Sequence, residues 1–181
     1  MKKLALLVAA VFLIIASPVM AKEGFYIGVY MPTATISGVA GTGIDSGNGL
    51  GFRAGMGLNR YLAIEGTYEK TSHDAILGTT ADLKGAAANV KLNFPLTTLD
   101  SRQIMSVEPY AKFGYGSYEL SLPGSSGKSN GTQYGIGIEL YLFRELSINA
   151  GWTKTKVDFD FTPKESGDIK TIDIGLMYHF L

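Results

Sequence analysis

The sequence predicts an all-β fold: an eight-stranded antiparallel transmembrane β-barrel, preceded by a cleaved signal peptide. Three observations lead there. First, the chain resolves at period two into about eight segments, each with an apolar face alternating against glycine and polar residues. Second, the last segment, from Thr171, puts Ile172, Ile174, Leu176, Tyr178 and Phe180 on one face and Asp173, Gly175, Met177 and His179 on the other. An apolar face ending in an aromatic pair suits a strand facing lipid. Third, nothing after the first 21 residues reaches the run of about eighteen apolar residues expected of a spanning helix. A bilayer without water requires every backbone donor and acceptor to be paired, so strands cross it only as a closed barrel.

The N-terminus is read first. Met1-Lys-Lys3 is a short basic region, Leu4 to Ile15 is almost wholly apolar, and Ser17-Pro-Val-Met-Ala21 ends in small residues. That is the pattern of a secretory signal peptide over 1–21, with Val19 and Ala21 at the cleavage site. A mature barrel domain of roughly 160 residues would then run from Lys22 to Leu181.

The segments follow in order. The first, Phe25 to Met31, sets Phe25, Ile27, Val29 and Met31 against Tyr26, Gly28 and Tyr30. The second, Asn48 to Leu58, sets Leu50, Phe52, Ala54, Met56 and Leu58 against four glycines and a solitary Arg53. After a tight connection at Asn59-Arg-Tyr61, the third (Leu62 to Lys70) turns Leu62, Ile64 and Tyr68 outward and Ala63, Glu65, Thr67 and Glu69 inward. The fourth, Leu83 to Phe94, sets Ala86, Ala88, Val90, Leu92 and Phe94 against a face carrying Asn89 and Lys91. The fifth, Val107 to Tyr118, sets Ala111, Phe113 and Tyr115 against Glu108, Tyr110 and Lys112. The sixth, Thr132 to Phe143, sets Tyr134, Ile136, Ile138 and Leu140 against Gln133, Gly135, Gly137 and Glu139. The seventh, Leu146 to Thr155, sets Leu146, Ile148, Ala150 and Trp152 against Ser147, Asn149, Gly151 and Thr153, and the closing segment is the eighth.

Connections are expected to be long after segments one, three, five and seven and shorter after two and six. Thr33 to Gly47, Leu120 to Gly131 and Lys156 to Ile169 are read as exposed loops rich in Gly, Ser, Thr, Asp and Lys. Short periplasmic turns and longer extracellular loops would place both termini in the periplasm. The stretch Pro95 to Ser106 is long for a periplasmic turn and has no physical account.

An eight-stranded barrel is nearly filled by its own side chains. The inward glycines leave room for the tyrosines and for Arg53, Lys91, Lys112, Glu65, Glu139 and Asp173, whose signs nearly balance. Balance suggests a salt-bridged plug, because a stranded buried ion costs several kcal/mol. Arg53 with Glu65 on the adjoining strand is the expected pair.

Composition excludes other classes. There is no Cys, hence no disulfide framework or thiolate chemistry. The net charge of +0 becomes about −2 without Lys2 and Lys3, and no basic cluster tracks a phosphate backbone, so nucleic-acid binding is not expected. Two separated His and scattered carboxylates lack metal-ligand spacing, and no cofactor is implied.

The run Gly55-Met-Gly-Leu-Asn-Arg-Tyr-Leu-Ala-Ile-Glu-Gly-Thr-Tyr68 resembles the second and third strands of the small outer-membrane β-barrel family that includes opacity-type proteins and the OmpA transmembrane domain. Tyr134-Gly-Ile-Gly-Ile-Glu139 and Leu146-Ser-Ile-Asn-Ala-Gly-Trp152 resemble its sixth and seventh strands, and Tyr178-His-Phe180 its closing signal. The resemblance implies a Gram-negative outer-membrane location among outer-membrane lipids and lipopolysaccharide, and a monomer. It also implies that Tyr178 and Phe180 are read by the barrel-assembly machinery, although here Leu181 follows the aromatic where the family often ends on Phe. No peptidoglycan-binding domain is expected after the final strand.

Fold does not give function, and three classes are weighed. The first is a non-enzymatic barrel whose loops contact a host, a neighbouring cell or lipopolysaccharide. Its contact candidates are His73 and Asp74 on the loop Thr71 to Leu77, and Phe159 and Phe161 on the loop from Lys156, unless those aromatics continue the barrel wall. The second is a lipid A-modifying enzyme. Ser72-His-Asp74 lies at the correct end, but adjacent residues point apart and cannot form a triad. The third is a narrow conduit for small apolar molecules, which would need inward apolar residues in the outer half, where glycine and charge are expected.

Overall fold

The computed structural model describes residues 24–38, 45–75, 79–96, 106–161 and 165–180. Residues 1–21, read as a signal peptide, lie outside them, as does Leu181. Alternation at period two produces eight strands: β1 (Gly24–Ser37), β2 (Gly47–Asn59), β3 (Leu62–Ala75), β4 (Thr79–Asn93), β5 (Ser106–Leu122), β6 (Ser125–Tyr141), β7 (Leu146–Phe159) and β8 (Glu165–His179). Each pairs antiparallel with its chain neighbours, and β8 pairs with β1 to close the barrel. Phe180 N–H donates to Phe25 O at 2.8 Å and fastens the seam. No helix among the described residues is long and apolar enough to cross a membrane.

The outward faces are those read from the alternation. Around the middle they are apolar, as lipid requires: Ile27, Phe52, Ile64, Val90, Phe113, Ile136 and Ile174 are all exposed. Aromatics bound this band. Phe25, Tyr61, Phe94, Phe143, Tyr178 and Phe180 mark the end that holds both chain termini, and Tyr68, Tyr115, Tyr134 and Trp152 the other.

All eight strands outrun the segments read from sequence, seven of them by four or more residues at the end remote from the termini. β5 and β6 each have 17 residues, against the 9–11 that a tilted strand needs to cross the hydrocarbon core. The expected loop from Leu120 to Gly131 is therefore a correction: both strands run on to a two-residue turn at Pro123-Gly124. Pro fixes the first central φ, and Gly124 supplies the positive φ of +82° at the second. The region from Lys156 is strand as far as Phe159, Thr33 to Ser37 belongs to β1, and Thr71 to Ala75 belongs to β3.

The physical reason is an inversion of the pattern. Beyond the upper aromatics the outward residues become polar (Thr33, Thr35, Lys70, Ser72, Lys154, Lys156) while the inward ones become apolar. Ala34, Ile36, Ala81, Leu83, Tyr118, Leu120, Val157, Phe159 and Ile169 form one buried cluster there, with Leu122 and Phe161 packed against it. This is the alternation of a water-soluble sheet. The barrel rises above the bilayer as a tower with an oily interior.

Candidate functional site

The lumen stacks in layers. At the termini end, Lys91 Nζ lies 2.6 Å from Glu139 Oε2, both buried, with the ammonium 4.4 Å from the centre of the Tyr110 ring. Glu139 Oε1 also accepts from Ser147 Oγ at 2.8 Å and stands 3.1 Å from His179 Nε2. Tyr26 donates to Glu65 at 3.1 Å. One layer up, Arg53 Nη2 meets Asp173 Oδ1 at 2.6 Å, Asn149 donates to the same oxygen at 3.0 Å, and the guanidinium lies over Tyr30, 4.2 Å from the ring centre. Tyr30 in turn donates to Glu69 at 3.1 Å.

Arg53 thus makes a close contact that was not expected, with Asp173, while the expected partner Glu65 acts on the same guanidinium through its charge. Arg53 stands opposite Thr67 and Gly55 opposite Glu65, so the two charges are staggered along neighbouring strands. Arg53 stands opposite Gly28 of β1 and Asp173 of β8 opposite Pro32, so the guanidinium reaches across the narrow barrel over the Tyr30 ring, which lies between those two registers. Lys112 is buried and lines a small polar cavity with Glu69 and Asp173. The lumen candidates Arg53, Glu65, Lys91, Glu139 and Asp173 all engage charged or phenolic partners. Sequence reasoning missed the tyrosines as their organisers: Tyr30 lies against Gly51 and Tyr26 against Gly55, and a Cβ at either glycine would collide with the phenol ring.

Above this network runs a neutral layer. Tyr118 donates to Gln133 Oε1 at 2.7 Å, and Gln133 donates to Asn89 Oδ1. Then comes the apolar cluster, which overturns the expectation of glycine and charge in the outer half. Phe159, expected as a contact residue, has no exposure and is part of that cluster, while half-buried Phe161 stacks on it with ring centres 5.7 Å apart. His73, expected on a loop, is 1% exposed and points inward from β3. Its Nδ1–H donates to the Asp45 carbonyl at 3.0 Å, which leaves Nε2 to accept from Thr71 Oγ1 at 2.8 Å. His73 therefore pins the chain before β2 to the wall. Asp74, next along, is exposed.

The residue types of a hydrolase triad do meet, at Ser147, His179 and Glu139. Ser147 Oγ and Glu139 Oε1 both approach the same ring nitrogen, at 2.9 and 3.1 Å, and Ser147 has no exposure. A triad needs the base between nucleophile and carboxylate, one on each ring nitrogen. This arrangement cannot activate the serine, and no substrate reaches it. No group of three or more possible metal ligands occurs among the described residues.

A family model for the outer membrane protein β-barrel domain matches residues 5–180. The chain belongs to that family. Its barrel resides in the Gram-negative outer membrane. Among solved structures it is similar to Neisserial surface protein A at 17% identity and a TM-score of 0.67, over 87% of this chain and 98% of that one. It is also similar to Ail, the attachment invasion locus protein of Yersinia pestis, at 17% identity and TM-score 0.56, over 87% and 99%. OprG of Pseudomonas aeruginosa matches at 17% identity and TM-score 0.54, over 88% and 97%. At such identity the likeness is one of fold. No curated protein matches the sequence.

Proposed function

We propose that this outer-membrane barrel is non-enzymatic and non-conducting, and that it serves surface interaction or envelope integrity through its extracellular end. The observation that carries the reading is the double closure of the lumen. Two buried ion pairs with their tyrosines fill the membrane-spanning part, and an apolar cluster fills the tower above. A path for ions would have to cross both. The tower supports the surface role, because its packed interior holds the strand ends and turns in fixed positions, and preorganised surfaces bind at lower entropic cost.

Inward apolar side chains in the outer half are also what a conduit for small apolar molecules requires. Here Leu83, Leu120, Phe159 and Ile169 are at most 1% exposed, so they fill the space rather than line it. The conduit reading therefore demands that the cluster open.

The remaining parts of the reading are inferences of the same kind. Residues 1–21 are removed on export, the mature barrel is a monomer, and Tyr178 and Phe180 serve the barrel-assembly machinery. Those two rings face outward beside the seam, in edge contact at 5.0 Å.

The test reconstitutes the protein in lipopolysaccharide-containing bilayers and records single-channel current while lipid A is followed by mass spectrometry. No current and an unchanged acyl pattern are expected. Discrete conductance, uptake of an alkane tracer or an altered acyl pattern would each overturn the reading.

A further inference from the structure

Building on the surface role proposed above, we infer that the extracellular end of the barrel binds an uncharged hexose unit of a glycan, in a pocket on the outer wall of the tower where β7, β8 and β1 end. The pocket has a volume of about 440 Å³, and Ser37, Lys156, Asp158, Ser166 and Asp168 line it. Ligand sites generally fall between roughly 300 and 1,000 Å³. On β7 the lining begins two outward positions beyond Trp152, the upper aromatic of that strand, so the pocket stands clear of the lipid-facing band.

Three features build it. Gly38 turns the chain off β1 at φ +90°, a conformation that favours glycine, and a Cβ there would lie 3.1 Å from Gly167 Cα and from the Ser166 carbonyl oxygen. The floor is therefore bare backbone. The sides are fixed: Lys154 Nζ lies 2.7 Å from Asp168 Oδ2, Ser37 Oγ donates to the Asp168 carbonyl at 3.4 Å, and the Asp158 amide donates to Ser129 Oγ at 2.8 Å. Behind them, Ile36, Val157 and Ile169 alternate with the lining residues and are buried in the apolar cluster. The second core thus backs the pocket, which lowers the cost of ordering it on binding.

The chemistry selects the ligand. In register, Asp168 stands between Lys156 and Ser37, and Asp158 stands opposite Ser166, so donors and acceptors alternate across the three strands. Val157 is the one apolar residue among the described lining residues, and its side chain is 2% exposed and faces the interior. A lipid chain or a nucleobase would find nothing to pack against. A phosphate or sulfate would meet both carboxylates, and a simple cation would meet Lys156. A sugar hydroxyl donates and accepts at one oxygen, so adjacent hydroxyls satisfy a carboxylate and an ammonium together, through charge-assisted bonds.

The experiment presents the full barrel, many copies to a phosphatidylcholine vesicle, to an array of lipid-free oligosaccharides, where multiple contacts compensate for the weak affinity of a single sugar site. Heat-modifiable gel mobility checks the fold of each variant. Wild type should retain glycans ending in an uncharged hexose about tenfold or more over their sulfated or sialylated counterparts, and Asp158→Ala and Lys156→Ala should each lower that retention about tenfold, as loss of a charge-assisted hydrogen bond does. Lys84→Ala with Glu119→Ala, an opposed pair on the wall of β4 and β5, should leave it within about twofold. Vesicles that also carry lipopolysaccharide should bind the array equally well. Four results would overturn the inference: no uncharged glycan retained, a preference for sulfated glycans, equal loss in the β4–β5 control, or block by lipopolysaccharide in the same membrane, which would assign the pocket to the cell's own envelope. None of these touches the proposed closed, non-enzymatic barrel, which fails by current or by an altered acyl pattern instead.

Discussion

Removing Arg53 probes the packing of the lumen most directly. Arg53 and Asp173 are each 2% exposed and 2.6 Å apart. Unit charges about 4 Å apart at an effective dielectric near 20 attract by about 4 kcal/mol. Breaking such a buried pair by deleting one member costs about 3–5 kcal/mol, because the other is left uncompensated. In Arg53→Ala, Asp173 keeps the Asn149 amide at 3.0 Å and Lys112 beside the same small cavity, and the Tyr30 ring loses its cation. The expected loss lies within that range. Asp173→Ala should cost less, near the lower end, because Arg53 remains stacked on Tyr30 with Glu65 two residues away on the same inner face. The double variant should cost little more than Arg53→Ala alone, a coupling of about 2–3 kcal/mol, and Arg53→Ala with Glu65→Ala should couple as well, because the Glu65 carboxylate acts on the same guanidinium. Reversible urea unfolding from lipid vesicles measures this, followed by the single tryptophan, Trp152, at the edge of the apolar band. Additivity for Arg53 with Asp173 would refute the reasoning.

Three further outcomes follow from the same structure. Phe159→Ala removes the largest fully buried side chain among the described residues and should cost about 3–4 kcal/mol in the same assay, yet leave bilayers without current because the polar layers below still close the lumen. Gly51→Ala places a methyl against the Tyr30 ring and should cost about 1–3 kcal/mol, read as earlier loss of the heat-resistant gel band. At the rim, hydrogen bonds from Lys70 and then Ser72 hold the Asp82 carboxyl below its ordinary value. Because the folded value is the lower one, the pair's small contribution is present above the unfolded value of about 4 and is lost as pH falls through the folded value. Carboxyl NMR should show Asp82 titrating lower than a free aspartate in wild type and rising toward it in Lys70→Ala.

Strand identity and facing were legible because a lipid-exposed wall leaves little choice of side: Ile172 and Ile174 cannot sit inside a lumen that already holds Asp173. Partner identity was not. The ladder fixes which residues oppose each other, but in a narrow lumen a long side chain reaches along and past a neighbouring strand: Arg53 stands opposite Gly28 of β1 and Asp173 opposite Pro32, yet the two meet. A reading confined to adjoining strands finds Glu65 and misses Asp173 for that reason. The tower was missed for a different cause. A search for outward apolar residues stops where lipid stops, so Val157-Asp-Phe-Asp-Phe161 reads as loop although its alternation is intact with the opposite face apolar. His73 was misplaced in the same way, since Thr71 and His73 continue the inward series begun by Glu65, Thr67 and Glu69.

That reversal of faces has a consequence for how the protein can act. Within the bilayer, interior polar groups must pair with one another because neither lipid nor bulk water can serve them, so the lower lumen is held by directional bonds that tolerate little movement. Above the bilayer, water surrounds the wall and the interior is held by burial of apolar surface. The two regimes meet at the Tyr118, Gln133 and Asn89 layer, where neutral side chains bond to one another between the charges below and the oil above. A barrel that merely spanned the membrane would have no use for the upper regime, since strands of about 9–11 residues reach across and those here have 13–17. The additional length builds a second core, and that core fixes the strand ends, the Pro123-Gly124 turn and the chain pinned by His73. The rim is thus presented as a formed surface, and the part of the chain invested beyond the bilayer is where contact with other molecules belongs.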